Sequence, residues 1–278
     1  MLLSFLVIYN NVGSTDFSII SINDISLDNQ KILFIGIFIS IAVKTPLIPF
    51  NTWLTYAHSE APVGGSIMLA GVILKLSLYG FLRIMLQFIP DATHYFTPLV
   101  QTISVISIIY ASFCTIRQTD FKKLVAYSSV AHMGVVVLGI FSNSIQGIQG
   151  AILLGIAHGF VSPALFFLCG AVLYDRYHTR TIRYYRGITN YIPIFSTFFF
   201  VFTIFNAAVP LSLNWAGEFI ALTGIFQRNP IISFLGSTGI VFSACYSIWI
   251  YNRISFGSFS KHINYKPDIN RREFMVLL

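Results

Sequence analysis

Five ionisable residues lie inside apolar stretches of this 278-residue chain. Lys75 stands in the middle of the segment GGSIMLAGVILKLSLYGFLRI, and Lys44 follows the apolar run ILFIGIFISIAV. His132, His158 and Glu218 each occupy a further apolar segment. Burial brings the charged and neutral forms of such groups close in energy, so that they can take up and release protons. A row of Lys, His and Glu side chains therefore has the composition of a proton relay.

Lys75 is too deep in its segment to reach water. About 13 residues of mostly apolar helix lie on either side of it, which places the nearer membrane interface roughly 18 Å away at 1.5 Å per residue. A lysine side chain cannot span that distance, and a charge at the membrane centre costs at least about 2.5 kcal/mol. Arg83 lies closer to the end of the segment and can extend its guanidinium to the interface. Lys75 is therefore the stronger functional candidate of the two.

The two histidines have hydroxyl neighbours at helical spacing. Ser128 and Ser129 precede His132 by four and three residues, and Ser162 follows His158 by four. Each set can form a polar stripe on one helix face. A lone histidine in a membrane helix more often makes a structural hydrogen bond than it carries protons. The buried lysines and glutamate in the same protein favour the relay.

Other ionisable residues and the cysteines are predicted to do no chemistry. Lys122 and Lys123 begin an apolar segment, where extension toward the interface explains them. The remaining histidines lie near predicted interfaces or in basic loops, and we expect them to be solvated: His58, His94, His178 and His262. The cysteines lie in apolar runs without a CxxC pair, so packing is predicted rather than a zinc site or a disulfide framework: Cys114, Cys169 and Cys245. No haem, flavin, metal or quinone motif is present, so no cofactor is predicted in this chain.

The composition identifies the elements that must position these residues. Apolar residues make up 55% of the chain, charged residues 10%, and the mean hydropathy is +0.75, which excludes an ordinary water-soluble globule. At about 20 residues per crossing, the length allows seven or eight membrane spans and leaves no room for a nucleotide-binding domain. We therefore predict an all-α, polytopic membrane protein. Its whole spans are expected at 31–58, 62–88, 96–117, 123–142, 147–174, 191–226 and 230–256.

The basic residues predict how these spans are oriented. With this set of spans, three clusters of Lys and Arg fall on the same side of the membrane, as the positive-inside rule requires. The net charge of +7 is then an orientation signal, and no nucleic acid partner is predicted. Binding of anionic lipid headgroups such as cardiolipin along the strip from Arg176 to Arg186 stays open. The clusters are Arg117, Lys122 and Lys123; Arg176, Arg180, Arg183 and Arg186; and Arg253, Lys261, Lys266, Arg271 and Arg272.

Two predicted spans are broken. Pro46 and Pro49 interrupt the span at 31–58, and Pro210 interrupts the span at 191–226. Membrane helices tolerate proline, but interrupted helices at matching positions of two halves are typical of inverted-repeat transporters. Lys44 and Glu218 stand beside the two breaks, in equivalent places. The pattern therefore favours transport.

The chain divides into four parts by this pattern. Residues 1–30 are predicted to form the end of a transmembrane helix and a polar loop. Residues 31–90 contain the first broken helix and the helix that follows it, as the remainder of a first repeat. Residues 91–257 form a second repeat that contains the second broken helix, and 258–278 form a basic tail.

Several segments together resemble a known family. They are, in order, KTPLIPFNTWLTYAHSEAPVGGSIMLAGVILKLSLYGFLR, RQTDFKKLVAYSSVAHM, GAILLGIAHGFVSPALFF, YDRYHTR and NWAGEF. They resemble the antiporter-like membrane subunits of NADH:ubiquinone oxidoreductase, respiratory complex I, and among these the subunit 4 family. The resemblance extends over the whole chain. It implies an antiporter-like bundle, with about seven to eight of the fourteen helices of that fold in this chain and one of its two inverted repeats incomplete.

The resemblance also implies roles for the five residues. Lys44 matches the lysine of the first broken helix, and Lys75 matches the connecting lysine of the next helix. His132 and His158 match the histidines of a central hydrophilic axis, and Glu218 matches its terminal acid. Protons are expected to move along this axis when quinone is reduced elsewhere in the complex.

The family resemblance implies a setting as well. It implies the mitochondrial inner membrane, neighbouring antiporter-like subunits as partners, and FMN, iron–sulfur clusters and ubiquinone in other subunits. This chain is then a subunit of an H+-translocating enzyme and has no redox centre of its own. A cation/proton antiporter subunit is the alternative, and a structural spacer that has lost pumping is a third reading.

The chain departs from the family at two places. Asn51 stands where the family usually has His, and Thr55-Tyr56 stand where it has Pro followed by an acidic residue. The chain also starts in what corresponds to the second half of the family's sixth helix, so the glutamate that should pair with Lys44 is absent. We expect either a subunit encoded in pieces, with a separate chain that supplies the preceding helices, or a truncated sequence.

Overall fold

A computed structural model of the chain describes residues 1–23, 25–258, 260, 263 and 267–278. The described part is helical, which confirms the all-α prediction. Three residues named above, Lys261, His262 and Lys266, lie outside it. The helices in chain order are α1 (Leu2–Val12), α2 (Phe17–Ile22), α3 (Leu27–Lys44), α4 (Thr52–Glu60), α5 (Val63–Phe88), α6 (Pro90–Arg117), α7 (Phe121–Ile140), α8 (Ile145–Tyr177), α9 (Pro193–Asn206), α10 (Leu213–Phe226), α11 (Pro230–Ser255) and α12 (Arg271–Leu277).

Five helices of the described residues are long and apolar enough to cross a membrane: α5, α6, α7, α8 and α11. The other two predicted spans appear as helix pairs, α3 with α4 and α9 with α10, each separated by a break. Both interruptions fall where proline predicted them, because proline removes a backbone donor and clashes with the preceding turn. In α7, 89% of the membrane-crossing stretch is buried within the protein, against 33–56% in the other four. Helix α7 is therefore the centre of the bundle.

Each break is bridged by a side chain from the second half of its helix pair. Trp53 Nε1 donates to Val43 O at 2.7 Å across the first break. Asn214 Nδ2 donates to Phe205 O at 2.9 Å across the second. A helix that ends inside a membrane leaves carbonyls without partners, and unsatisfied groups there are costly. The Trp53 bond satisfies such a carbonyl at the first break, and at the second break the Asn214 amide adds a donor to a carbonyl that also accepts from Ala208 N.

Helices α5 and α8 contain π-helical segments. In α5 they are Leu69–Ile73 and Phe81–Met85, and in α8 the segment is Leu168–Tyr174. Such segments are rare and are frequent at functional sites. The segment Leu69–Ile73 ends two residues before Lys75. It therefore helps to set the position of Lys75 relative to the rest of α5.

Helices α8 and α10 approach each other closely through glycines. A Cβ at Gly150 would lie 2.2 Å from Ala221 N, and a Cβ at Gly217 would lie 2.6 Å from Leu154 N. Small residues allow membrane helices to pack with their backbones in contact. The glycines therefore fix the position of α10, and with it Glu218, against α8.

The basic loops meet at one end of the bundle. Asp120 and Thr181 form an antiparallel bridge, and the Arg180 guanidinium donates to the Ser59 carbonyl. Arg176 Nη1 donates to Pro267 O at 2.7 Å, and the same guanidinium pairs with Glu273. The contacts gather the described members of the three clusters at one face, which we call the basic face, as the charge pattern predicts.

Candidate functional site

Four of the five predicted residues form a continuous row. Lys75 Nζ lies 3.0 Å from His158 Nδ1. The rings of His158 and His132 have centroids 5.5 Å apart and are tilted by 49°. His132 Nδ1 lies 2.8 Å from Glu218 Oε1. We call these four residues the central row; they come from α5, α8, α7 and α10 in that order.

Lys75 is held by its own helix and by a glycine of α8. Its Nζ donates to Ala70 O at 2.6 Å, in the π-helical segment of α5. A Cβ at Gly159 would lie 3.3 Å from Lys75 Cε and 3.4 Å from Gly71 O. The absence of a side chain at Gly159 therefore gives the lysine stem its place beside His158.

The two histidines are the most enclosed members of the central row. His158 is 0% exposed and His132 is 2% exposed. Each uses Nδ1 for a charged neighbour, and neither Nε2 has a hydrogen-bond partner within the described part of the chain. A neutral imidazole donates from one nitrogen and accepts at the other. Each ring therefore keeps one nitrogen free for a second proton partner.

Glu218 ends the central row in an equally buried place. Its side chain is 2% exposed, and its Oε1 contacts His132. Its Oε2 has no hydrogen-bond partner among the described residues. A buried carboxylate oxygen is normally bonded, so this atom has the capacity to bind a proton or a further donor.

The polar stripes predicted beside the histidines meet each other. Ser129 Oγ lies 3.0 Å from Ser162 Oγ, so the α7 and α8 stripes are in direct contact. Ser128 bonds to Val125 O within its own helix instead. The hydroxyl pair extends the polar region one helical turn beyond the histidines.

Lys44 is not part of this assembly. It stands at the last residue of α3, is exposed, and makes no hydrogen bond or ion pair with the part of the chain that the structure describes. Its ammonium is thus available to a partner outside these residues. Whether it acts with the others stays a prediction.

The solvated assignment of His58 is wrong. His58 is 0% exposed, its ring stacks on Phe166 with centroids 4.2 Å apart, and neither ring nitrogen has a partner within the described residues. The face of α4 that carries His58 packs against neighbouring helices, so a residue near the end of a span is still enclosed. The apolar Leu54, one turn earlier on the same face, is the sequence signal that could have indicated this.

Lys122 differs from its prediction too. It is 2% exposed, its Nζ donates to Ala61 O at 2.9 Å, and it lies 5.1 Å from the centre of the Tyr174 ring. It is thus held within the protein instead of extending to the interface. His94 and His178 are exposed, as expected.

The part of the chain that the structure describes contains no metal centre. Among the described residues, no group of three or more His, Cys, Asp or Glu side chains could hold a metal ion. The cysteines form no disulfide: Cys169 is buried, Cys114 is half-buried, and Cys245 is exposed. The packing role predicted for Cys245 is therefore wrong, because its side chain faces out of the bundle.

Comparison with known proteins gives the class of this fold and site. Residues 1–245 match the transmembrane family described as NADH:quinone oxidoreductase/Mrp antiporter. The chain belongs to this family.

Named relatives narrow the comparison. The chain is 69% identical over 278 residues to NADH-ubiquinone oxidoreductase chain 4 of Mycosarcoma maydis, and 49% identical over 277 residues to the chain 4 of Metridium senile. It covers 57% and 56% of those proteins, and they match all of it. The chain thus spans just over half the length of the curated relatives it matches.

Solved structures share the fold. A chain of respiratory complex I from Thermus thermophilus superposes with a TM-score of 0.92 at 25% identity, over 99% of this chain and 59% of that one. A chain of the Mrp complex from Dietzia superposes with a TM-score of 0.85 at 17% identity, over 94% of this chain and 49% of that one. The second likeness concerns the fold alone.

Proposed function

We propose that this chain translocates protons as the subunit 4 component, or part of it, of the membrane arm of an NADH:ubiquinone oxidoreductase. The observation that carries the proposal is the central row itself. Lys75, His158, His132 and Glu218 follow one another at 3.0 Å, 5.5 Å between ring centroids, and 2.8 Å. Four groups that can each gain or lose a proton, enclosed in an apolar bundle, need a functional reason.

The Lys75–His158 and His132–Glu218 contacts allow direct proton exchange at named atoms, whereas the step between the two histidines needs a bridging water or a ring rotation, because neither Nε2 has a partner among the described residues. When the Lys75 ammonium gives a proton to His158 Nδ1, the resulting imidazolium can release the proton held at Nε2. His132 takes up a proton at its free nitrogen and gives the one at Nδ1 to the Glu218 carboxylate. His158 and His132 each gain one proton and lose one, so both end neutral. Lys75 ends as a neutral amine, and Glu218 ends as a carboxylic acid. Transfer in the other direction uses the same atoms.

The relatives' names support a redox-driven setting. In such a complex, FMN, iron–sulfur clusters and ubiquinone belong to other subunits, and their reduction changes the charge next to this chain. Other antiporter-like membrane subunits are its neighbours, in the mitochondrial inner membrane. The helices that precede this part of the fold in its relatives, whether they belong to the same polypeptide or to a separate chain, would supply a carboxylate for the exposed Lys44. At the basic face, Arg183 and Arg186 are exposed and suit anionic lipid headgroups such as cardiolipin.

The test uses the assembled complex reconstituted in vesicles. We expect Lys75→Ala and Glu218→Gln to lower the number of protons translocated per NADH oxidised, because each removes one step of the central row. Lys31→Ala and Asp28→Asn are the matched controls, since that exposed ion pair lies outside the central row. A normal proton ratio in a fully assembled Lys75→Ala complex would refute the proposal.

A cation/proton antiporter subunit is the second candidate, because the matched family includes Mrp antiporters. Purification from the native membrane distinguishes the two. Flavin and iron–sulfur partners that co-purify with the chain support the oxidoreductase. A purified assembly without them, with proton transport driven by a sodium gradient, supports the antiporter.

A further inference from the structure

We propose that His58 is an additional proton-relay residue, on a branch that connects the basic face to the central row. This inference rests on the proposed function, because a branch has meaning only if the central row carries protons. It concerns how protons reach that row from one side of the membrane. Three observations carry it: an enclosed imidazole with free nitrogens, a polar face that leads away from it, and a cavity at its other end.

The first observation is the state of the His58 side chain. It is fully buried, and its Nδ1 and Nε2 both lack a partner among the described residues. Its ring is fixed by the stack on Phe166, at an angle of 9° between the planes. Buried polar side chains are nearly always hydrogen-bonded. An imidazole that is rigidly placed but free at both nitrogens can accept a proton at one and release a proton from the other.

The second observation is the polar face between His58 and the central row. His158, Ser162 and Phe166 follow one another at four-residue spacing on α8, so they share one helix face. Since His58 stacks on Phe166, it lies about two turns, roughly 12 Å along α8, from His158. Ser162 stands halfway between those two levels.

Helix α7 supplies a second hydroxyl at the level of Ser162. Ser129 of α7 meets Ser162 at 3.0 Å, and it lies one turn before His132. A hydroxyl both donates and accepts, so it passes a proton on without holding a charge. The two serines therefore form a step between the level of His58 and the level of the two central histidines.

The third observation is a cavity of about 560 Å³ at the basic face. Its wall includes Ser59 and Glu60, which directly follow His58 in α4, and the carboxylate of Asp175. The buried Lys122 and the half-buried Arg180 also line the wall. The cavity is open to the outside and is large enough for many water molecules. Protons can thus reach the end of α4 that carries His58.

The transfer involves only N–H and O–H bonds. A donor in the cavity, water or a protonated carboxylate, gives one proton to a ring nitrogen of neutral His58. The imidazolium then releases the proton on its other nitrogen toward the Ser162 and Ser129 hydroxyls. Each hydroxyl accepts one proton and gives up its own, and His158 or His132 receives the last. One proton enters from the cavity, one enters the central row, and His58 is neutral again.

The principal test is His58→Phe in the assembled complex. Phenylalanine keeps an aromatic ring to stack on Phe166 but has no nitrogen. His94→Phe is the matched control, because His94 is exposed and outside the branch. We expect His58→Phe to lower the protons translocated per NADH by the same factor as Lys75→Ala, with His94→Phe at the wild-type ratio. NADH oxidation and assembly on native gels are measured alongside.

The outcomes separate this inference from the proposed function. A wild-type ratio in His58→Phe together with a loss in Lys75→Ala overturns the branch and leaves the proposed function standing. A wild-type ratio in Lys75→Ala overturns the proposed function whatever His58→Phe does. If His58→Phe does not assemble, the double variant Ser129→Ala and Ser162→Ala decides. It removes the hydroxyl step at little steric cost, and a wild-type ratio there also overturns the branch.

Discussion

A single methyl group at Gly217 is predicted to disconnect Glu218 from His132. In Gly217→Ala the new Cβ would lie 2.6 Å from Leu154 N and 2.7 Å from Leu154 Cα, both on a neighbouring helix. Ordinary contact begins at about 3.4 Å, so α10 must withdraw from α8 by about 0.8 Å. If Glu218 moves with its helix, the His132–Glu218 distance of 2.8 Å lengthens by up to about 0.8 Å, to at most about 3.6 Å, so the hydrogen bond is weakened or lost.

The change is expected to affect both stability and proton transfer. Overpacking of this kind costs about 1–3 kcal/mol, because the obstacle is backbone and cannot turn away. Gly64→Ala is the control, since nothing lies within 4 Å of a Cβ there. Gly64→Ala is expected to raise the free energy of unfolding by about 0.5–1 kcal/mol, because alanine is more stable than glycine at a helical position.

The assay follows thermal inactivation and the proton ratio of the assembled complex in the same preparations. We expect Gly217→Ala to inactivate at lower temperature than wild type and to translocate fewer protons per NADH. Equal stability of Gly217→Ala and Gly64→Ala would refute the close approach of α8 and α10. Lower stability with a normal proton ratio would refute the link between this packing and Glu218.

Three further substitutions test the breaks and the tail. Trp53→Phe removes the indole donor across the first break. It is expected to lower the free energy of unfolding by about 1–3 kcal/mol, as judged by thermal denaturation. The control Trp249→Phe is expected to change that free energy little. Asn214→Ala removes the amide donor across the second break, and we expect a smaller loss in the same assay, because Phe205 O still accepts from Ala208 N. Arg176→Ala removes the contacts that hold the 267–273 segment, so trypsin should cleave the tail faster than in wild type. Arg183→Ala is the control at an exposed arginine, and it should leave the cleavage rate unchanged.

The fold was largely predictable because its signals are local. Runs of apolar residues of membrane length predicted α5, α6, α7, α8 and α11, and prolines predicted both breaks. The side chains that bridge the breaks were not predictable in this way. Trp53 and Asn214 each bond to a carbonyl about ten residues earlier, a contact that exists only once the chain has turned back on itself.

Four of the five residues predicted for the candidate site lie together and Lys44 does not, and the order of the four was not predictable. Residue type and depth were enough to select Lys75, His132, His158 and Glu218. The sequence does not say that His158 lies between Lys75 and His132, because that order depends on which helices are neighbours. The neighbours are set by close approaches at residues such as Gly159, where the absence of a side chain decides how helices pack.

The error at His58 shows that depth in a membrane and burial in a protein are different quantities. Its position near the end of the span at 31–58 predicts contact with the interface, and that estimate uses only distance along the chain. Helix α4 packs against its neighbours, however, and Phe166 covers the ring. One face of a short helix after a break can be enclosed along its whole length while the other is exposed, as in α4, so residues there should be judged by helix face rather than by position in the span.

The central row and Lys44 depend on different parts of their surroundings. Every contact from Lys75 to Glu218 is made between α5, α7, α8 and α10, so this chain alone supplies the contacts of the row. Lys44 is exposed at the end of α3 and has no ionic partner in the described part of the chain. Under the proposed function, we therefore expect a change in a neighbouring subunit to act on Lys44 and to reach the central row through movement at the first break. That separation suits a device in which an outside event triggers transfer along a preformed row.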